Sequence, residues 1–118
     1  MTHPIPPDVA AARAEYEARI EGLHMPEVVR RAAEQYADRP AYSDKYDVPE
    51  GQSWSTLTWA QTWQGAREVA AALIDLGVEK GDSIALMSPN RNLHTLVDYG
   101  AMTAAAVPMS IYNTLSQS

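Results

Sequence analysis

The second half of the chain alternates between helix-like and strand-like hydrophobic patterns. From Thr58 to Gly77, apolar side chains recur at the three- and four-residue spacing of an amphipathic helix. Short apolar runs follow at 83–87 and 107–111, and a second helical pattern over 91–105 separates them. The first of these runs is of the kind that is buried on both faces of a sheet. Two strands joined by a crossover helix pair in parallel, so this half predicts a right-handed βαβ unit.

The first half predicts two helices and a pair of strands. Asp8 is placed to cap a helix over 9–21 that has only a thin apolar face, and a second helix covers 26–37. The segments 41–46 and 54–58 look like strands with P-E-G between them, which predicts an antiparallel pair. The predicted fold class is therefore α/β, with N-terminal helices and a β-pair followed by a parallel βαβ unit.

Several polar residues have a structural explanation at the ends of these elements. Thr58 and Gln61 have the spacing of a capping box at the start of the third helix. Ser88 or Asn90 is expected to cap the fourth helix. Pro108 has no N–H group, which places it at the start of the last strand or on a sheet edge.

Composition excludes several classes of function. The 118 residues carry 15 acidic and 9 basic side chains and a net charge of −6, which disfavours nucleic-acid and membrane-surface partners. The chain has no cysteine, so disulfides and zinc–thiolate sites are excluded. It also has neither an N-terminal signal pattern nor an apolar stretch long enough to span a bilayer, so we expect a cytoplasmic protein without an integral membrane segment.

No residue pattern meets the requirements of a catalytic, cofactor-binding or metal-binding site. The six glycines show no phosphate-loop spacing, and the S-P-N turn at 88–90 has the strand-to-helix position of such a loop but no glycine. Helix capping is therefore preferred to phosphate binding there. His3 and His24 have no metal-ligand spacing. His94 and Asp98 lie one helical turn apart, and a solvated surface pair is preferred to an acid–base couple.

Two further groups of side chains have both a binding and a structural interpretation. Polar residues follow the last strand at the carboxyl end, where open α/β sheets bind ligands: Ser110, Tyr112, Asn113, Thr114 and Ser116. A loop that caps the next helix is preferred. Trp59 and Trp63 are four residues apart on one helix, so core packing is preferred to an aromatic binding face that includes Trp54.

Four blocks of sequence, taken in order, resemble the N-terminal region of adenylate-forming enzymes, specifically long-chain fatty acid–CoA ligases. The blocks are M-P-E-V-V-R-R-A-A-E-Q-Y-A-D-R-P-A, L-T-W-A-Q-T-W, L-I-D-L-G-V-E-K-G-D-S-I-A-L-M-S-P-N and G-A-M-T-A-A-A-V-P-M-S-I-Y-N-T-L-S. They cover roughly 25–116, and I-Y-N-T-L-S favours the fatty acyl–CoA branch. The resemblance implies structural roles for Gly77, Gly81 and Asp82 in the turn before a strand, and for Asn90 at a helix cap.

The resemblance implies that the parent enzyme uses ATP, magnesium and CoA to convert a fatty acid into acyl-adenylate and then acyl-CoA. The family's phosphate, magnesium and ribose motifs lie beyond the matched blocks, so we expect this chain to bind no cofactor and to be a non-catalytic N-terminal piece. In this interpretation 1–24 form an extended lead and helix, and 25–118 form a partial AMP-binding domain. Ala105 stands where the family leads us to expect glycine, and the final S-Q-S departs from the expected continuation.

Two other interpretations stay open. The first is a stand-alone interaction module that forms a homodimer through an unpaired sheet edge at V-P-M-S-I or its neighbouring strand. The second is an unrelated flavodoxin-like nucleotide binder, which titration with ATP, AMP and FMN would distinguish.

Overall fold

The computed structural model describes residues 5–112, and within that range all eight predicted elements are present. In chain order they are α1 (Pro7–Ile20), α2 (Met25–Gln35), β1 (Pro40–Asp44), β2 (Ser55–Thr58), α3 (Trp59–Asp75), β3 (Ser83–Leu86), α4 (Asn92–Thr103) and β4 (Val107–Ser110). The mixed helix and strand architecture confirms the predicted fold class.

The strands form two separate two-stranded sheets. β1 and β2 are antiparallel, with Asp44 opposite Ser55. β3 and β4 are parallel, with Leu86 opposite Ser110, and α4 connects them. Both predicted pairings are confirmed.

A close contact between α3 and α4 forms the centre of the core. The fully buried positions of the two helices are small: Thr62, Ala66 and Ala70 in α3, and Gly100 and Ala101 in α4. A Cβ atom on Gly100 would lie 2.5 Å from Cβ of Val69 and 3.1 Å from the carbonyl oxygen of Ala66. The helices therefore approach closely because one of them has no side chain at the crossing point.

The tryptophans border this core instead of filling it. Trp59 and Trp63 are half-buried, and Trp59 packs edge-on to Tyr42 with ring centroids 5.9 Å apart. Trp54 is exposed, and the Lys45 ammonium lies 3.7 Å from the centre of its ring. The packing interpretation thus holds for Trp59, whereas Trp54 is exposed beside Lys45.

Helix α2 has one buried face and one ion-paired face. Val29 and Ala33 are buried, while the carboxylate of Glu27 accepts hydrogen bonds from Arg30 and Arg31. The bond from Arg30, followed by that from Arg31, holds the pKa of Glu27 at about 2. These ion pairs at i, i+3 and i, i+4 spacing stabilise the helix along its exposed side.

Helix α1 begins earlier than its predicted cap. Asp8 lies inside the first turn, the residue before the helix is Pro6, and no side chain caps the terminus. The predicted role of Asp8 was wrong because Pro7 already holds a helical φ and needs no N–H partner at the first position. None of the residues of α1 is buried, which agrees with its thin apolar face.

Strand β3 is covered on one face only in the described part of the chain. Leu86 is buried and Ile84 is half-buried, whereas Ser83, Ala85 and Met87 are exposed. The prediction of burial on both faces was therefore wrong here. The hydrophobic pattern of a strand indicates only that its faces need to be packed against other side chains. Those side chains must come from another segment.

The substitution Ala105→Gly is expected to stabilise the chain. Ala105 follows α4 with φ of +60°, a region that costs an L-residue roughly 1–2 kcal/mol. Glycine adopts this conformation freely but loses more backbone entropy on folding, so the expected net gain is about 0.5–1 kcal/mol. Urea unfolding followed by circular dichroism measures it. The matched control is Ala71→Gly, in the exposed interior of α3, which should cost about 1 kcal/mol. A loss of stability in both variants would contradict the prediction.

Candidate functional site

A pocket of about 390 Å³ opens where β3 and β4 end. Six described residues line it: Ser88, Asn90, His94, Ser110, Ile111 and Tyr112. The carboxyl ends of parallel strands are where open α/β sheets bind ligands. The S-P-N turn and the polar residues after β4, which are 20 or more positions apart in the sequence, therefore meet in one site. The other polar candidates, Asn113, Thr114 and Ser116, lie outside the described residues.

His94 is half-buried and lines this pocket. Its Nε2 lies 3.2 Å from the Ser110 hydroxyl at the end of β4, and its buried Nδ1 has no hydrogen-bond partner. No hydrogen bond or ion pair joins His94 to Asp98, so the predicted surface pair was wrong. Because α4 packs against both strands, its first turn lies near the end of β4, and position 94 points towards the sheet.

The pocket lining can form hydrogen bonds through uncharged groups, but it carries little charge. Its described lining offers hydroxyl groups, one amide, one imidazole and the ring of Tyr112, which is 78% exposed. No lysine, arginine or carboxylate is among those lining residues. Within residues 5–112, no group of three His, Asp or Glu side chains is placed to hold a metal ion. The site can therefore orient a ligand but supplies no compensating charge for phosphates.

The start of α4, which carries His94, is fixed by a residue from β1. Asp44 is only 8% exposed, and its two carboxylate oxygens accept hydrogen bonds from the backbone N–H groups of Tyr46 and Asn92. The side chain of Asn92 in turn donates to the carbonyl oxygen of Ser55, at 2.9 Å. The β-pair thus provides the hydrogen-bond acceptor for a backbone N–H group at the N-terminus of α4, 48 positions further along the chain.

The predicted caps of α4 were consequently wrong. Arg91 occupies the capping position and makes no side-chain cap, and neither Ser88 nor Asn90 bonds to the helix terminus. Ser88 instead donates to the carbonyl oxygen of Pro89, at 3.0 Å. Local spacing could not identify Asp44, because capping by a distant side chain leaves no pattern near the helix.

A second contact ties α4 to β1 near its middle. The hydroxyl groups of Tyr42 and Tyr99 lie 2.7 Å apart. Burial, together with this hydrogen bond, raises the pKa of Tyr99 above its ordinary value. Helix α4 is therefore attached to the β-pair at two points along its length, at its start and near its middle. These contacts fix the orientation of the pocket wall that α4 forms.

The chain belongs to the AMP-binding enzyme family, whose model matches residues 29–118. In the described residues no helix combines the length and hydrophobicity needed to cross a membrane.

Individual relatives agree with this assignment. The long-chain-fatty-acid–CoA ligase heimdall of Drosophila melanogaster is 27% identical over 88 residues, which are 75% of this chain and 13% of the ligase. An uncharacterized protein of Mycobacterium tuberculosis is 43% identical over 60 residues, which are 51% of this chain and 34% of that protein. The chain thus spans 13% and 34% of the length of these two relatives.

The fold is also found in solved ligase structures. The N-terminal domain of FACL13 from Mycobacterium tuberculosis superimposes with a TM-score of 0.68 and 30% identity, over 77% of this chain and 21% of that one. The resemblance to the N-terminal region of fatty acid–CoA ligases is confirmed. The division of the chain at residues 24 and 25 stays a prediction.

Proposed function

We propose that this chain is the N-terminal scaffold piece of an enzyme that joins a long-chain fatty acid to CoA at the expense of ATP, and that it is not catalytic alone. The observation that carries the proposal is a ligase-like βαβ unit whose pocket has the right position for a ligand but almost no charge. We further propose that the parent enzyme is cytoplasmic.

The chemistry explains why these residues do not suffice. A fatty carboxylate oxygen attacks the α-phosphorus of ATP and pyrophosphate leaves. The CoA thiolate then attacks the acyl carbon, and AMP leaves with the electron pair of the broken bond. Both steps depend on cations and oriented donors that stabilise developing negative charge. The pocket lining offers no carboxylate for magnesium and no lysine or arginine for phosphate, so it does not fit a magnesium–nucleotide complex by itself.

The role that the residues do fit is positional. Asp44 and the Tyr42–Tyr99 bond fix α4 over the sheet, and α4 presents His94 beside the end of β4. In the parent enzyme this edge would form one wall of the ligand site, and the charged groups would come from the remaining polypeptide.

The purified chain is expected to release no AMP from ATP in the presence of magnesium, a long-chain fatty acid and CoA. A coupled assay for AMP measures this, with a complete fatty acid–CoA ligase as the positive control. Titration calorimetry should likewise detect no tight binding of ATP, AMP or FMN. Fatty-acid-dependent AMP release that disappears in His94→Ala would assign activity to this pocket and contradict the proposal.

A stand-alone interaction module is the second candidate, favoured by an apolar face of the β3–β4 sheet that residues 5–112 leave uncovered. Met87, Val107 and Met109 are all about half-exposed or more on that face. The coding sequence that follows the codon for Ser118 distinguishes the candidates. A downstream Ser/Thr/Gly-rich loop ending in lysine, in the same frame, would support the ligase piece, whereas a stop codon would support the module.

A further inference from the structure

The two ring nitrogens of His94 have different surroundings. Nε2 lies 3.2 Å from the hydroxyl oxygen of Ser110, whereas Nδ1 is buried and has no hydrogen-bond partner among the described residues. A neutral imidazole carries one proton, so one nitrogen donates and the other can only accept. Two arrangements fit this contact, and they give Ser110 opposite roles.

With the proton on Nδ1, the bare Nε2 would accept the O–H of Ser110. The serine would then be paired with a general base, as the nucleophile of a hydrolase is. With the proton on Nε2, the imidazole donates to Oγ of Ser110 instead. The serine then keeps its own hydrogen for another acceptor and is not activated for attack.

The burial of Nδ1 favours the second arrangement. An N–H group at Nδ1 would be a buried donor without an acceptor, which costs about 1–3 kcal/mol. The other form leaves only a lone pair without a partner, and among backbone groups an unpaired buried N–H is the rarer case. With the proton on Nε2, every N–H and O–H of the pair has an acceptor or faces the pocket.

This choice does not depend on what a longer polypeptide would pack against the pocket. Nδ1 is already buried by the described residues, so a segment placed over the pocket would not reach it. The contact of Nε2 with Ser110 joins α4 to β4, which are both described in full.

The hydroxyl group of Ser110 is available to a ligand. Its side chain lines the pocket and is exposed, and among the described residues His94 is its one hydrogen-bond partner. The other hydroxyl group at this edge, that of Ser88, already donates to the carbonyl oxygen of Pro89. Ser110 is therefore the serine of the pocket whose hydrogen is free.

We propose that His94 is a positioning residue that donates from Nε2 to Ser110, and that the Ser110 hydroxyl in turn donates to an acceptor oxygen of the ligand. The described lining has no charged side chain to balance a phosphate, so this oxygen belongs to a neutral carbonyl group. The identity of that ligand as a ligase substrate rests on the proposed function. The position of the proton does not.

Long-range proton–nitrogen correlation spectra of the full chain, recorded at mildly alkaline pH where imidazoles are neutral, test the first step. His24 is the internal reference, because its Nδ1 accepts from the backbone N–H of Glu27 at 3.3 Å and its proton is therefore on Nε2. We expect the pattern of His24 for His94, in wild type and in Ser110→Ala. His94→Gln identifies the signals. An Nδ1–H pattern, or the averaged pattern of a free imidazole, would overturn the proposal.

Reaction with p-nitrophenyl acetate tests whether Ser110 is a nucleophile instead. Attack of its Oγ on the acyl carbon would expel p-nitrophenolate, pass the hydroxyl proton to His94 and leave an acetylserine. We expect no acetylation of Ser110 by mass spectrometry and the same rate of p-nitrophenolate release from wild type and Ser110→Ala. A Ser110-dependent burst with an acetyl group on that residue would contradict the assigned role.

Titration with N-methylacetamide and with inorganic phosphate, followed through the backbone amide resonances, tests the ligand group. N-methylacetamide should shift the resonances of 88, 90 and 110–112, and Ser110→Ala should weaken this binding about threefold or more. Ser43→Ala is the matched control, since Ser43 is an exposed strand serine whose hydroxyl already pairs with that of Thr56 at 2.8 Å.

Three results of the titration would overturn the assignment of a carbonyl ligand. They are no shift with N-methylacetamide, shifts with phosphate alone, and equal weakening in Ser110→Ala and Ser43→Ala. All of these readouts are independent of AMP release, so a failure of this inference and a failure of the proposed function are distinguishable.

Discussion

Gly100→Ala is expected to lower the free energy of unfolding by roughly 2–3 kcal/mol, a typical cost of overpacking a tight contact. The new Cβ would lie 2.5 Å from Cβ of Val69 and 3.1 Å from a backbone oxygen of α3. Neither atom can move aside by a rotamer change, so the two helices must separate. The loss exceeds the gain of about 1 kcal/mol that alanine brings to a helix interior.

Gly65→Ala is the matched control, since it makes the same change in the same helix pair. A Cβ at Gly65 would meet the terminal carbons of Leu96 at 2.9 and 3.0 Å, and a leucine side chain can rotate away. We expect its stability to stay within about 1 kcal/mol of wild type, because helix propensity offsets the adjustment. Urea unfolding gives both values.

A double variant sharpens this comparison. Val69→Ala removes the Cγ1 methyl group that also collides with the new Cβ but keeps Cβ of residue 69, so Gly100→Ala should cost less in that background than in wild type, without becoming neutral. Equal costs for the two glycine variants, or no coupling with Val69, would mean that α3 and α4 do not make the close contact described above.

Asp44→Ala is expected to cost about 2–3 kcal/mol, because it leaves two partly buried backbone N–H groups without their acceptor. The affected groups belong to Tyr46 and to Asn92 at the start of α4. Asp44→Asn should cost less, at about 1–2 kcal/mol, since its amide oxygen still accepts one bond. Chemical denaturation measures the loss. Hydrogen exchange should show faster exchange in the first turn of α4 than in α3.

Asp47→Asn is the control for this second prediction. Asp47 is an exposed carboxylate three residues away that pairs with Arg91, and its φ of +47° is one that asparagine also tolerates. A surface ion pair of this kind contributes at most about 1 kcal/mol, so the variant should be close to wild type. Equal losses for Asp44→Asn and Asp47→Asn would show that the buried carboxylate does not hold α4.

Some parts of the candidate site can be predicted from sequence patterns, and others cannot. The turn at 88–90 and the polar residues after β4 were each recognisable as the end of a strand, and the rule for open α/β sheets indicates that such ends lie together. The contribution of His94 was not recognisable. Its helical period places it on a polar side, and only the crossing of α4 over the sheet turns that side towards Ser110.

By itself, the sequence determined which elements form and to which family the chain belongs. Hydrophobic period, the Thr58–Gln61 capping box and the turn glycines act between residues a few positions apart, so they can be recognised in a linear chain. The tertiary structure alone decided what closes the start of α4 and which way His94 points. These features depend on contacts between distant segments, such as that of Asp44 with Asn92, and the geometry of such contacts is set by helix packing and strand register.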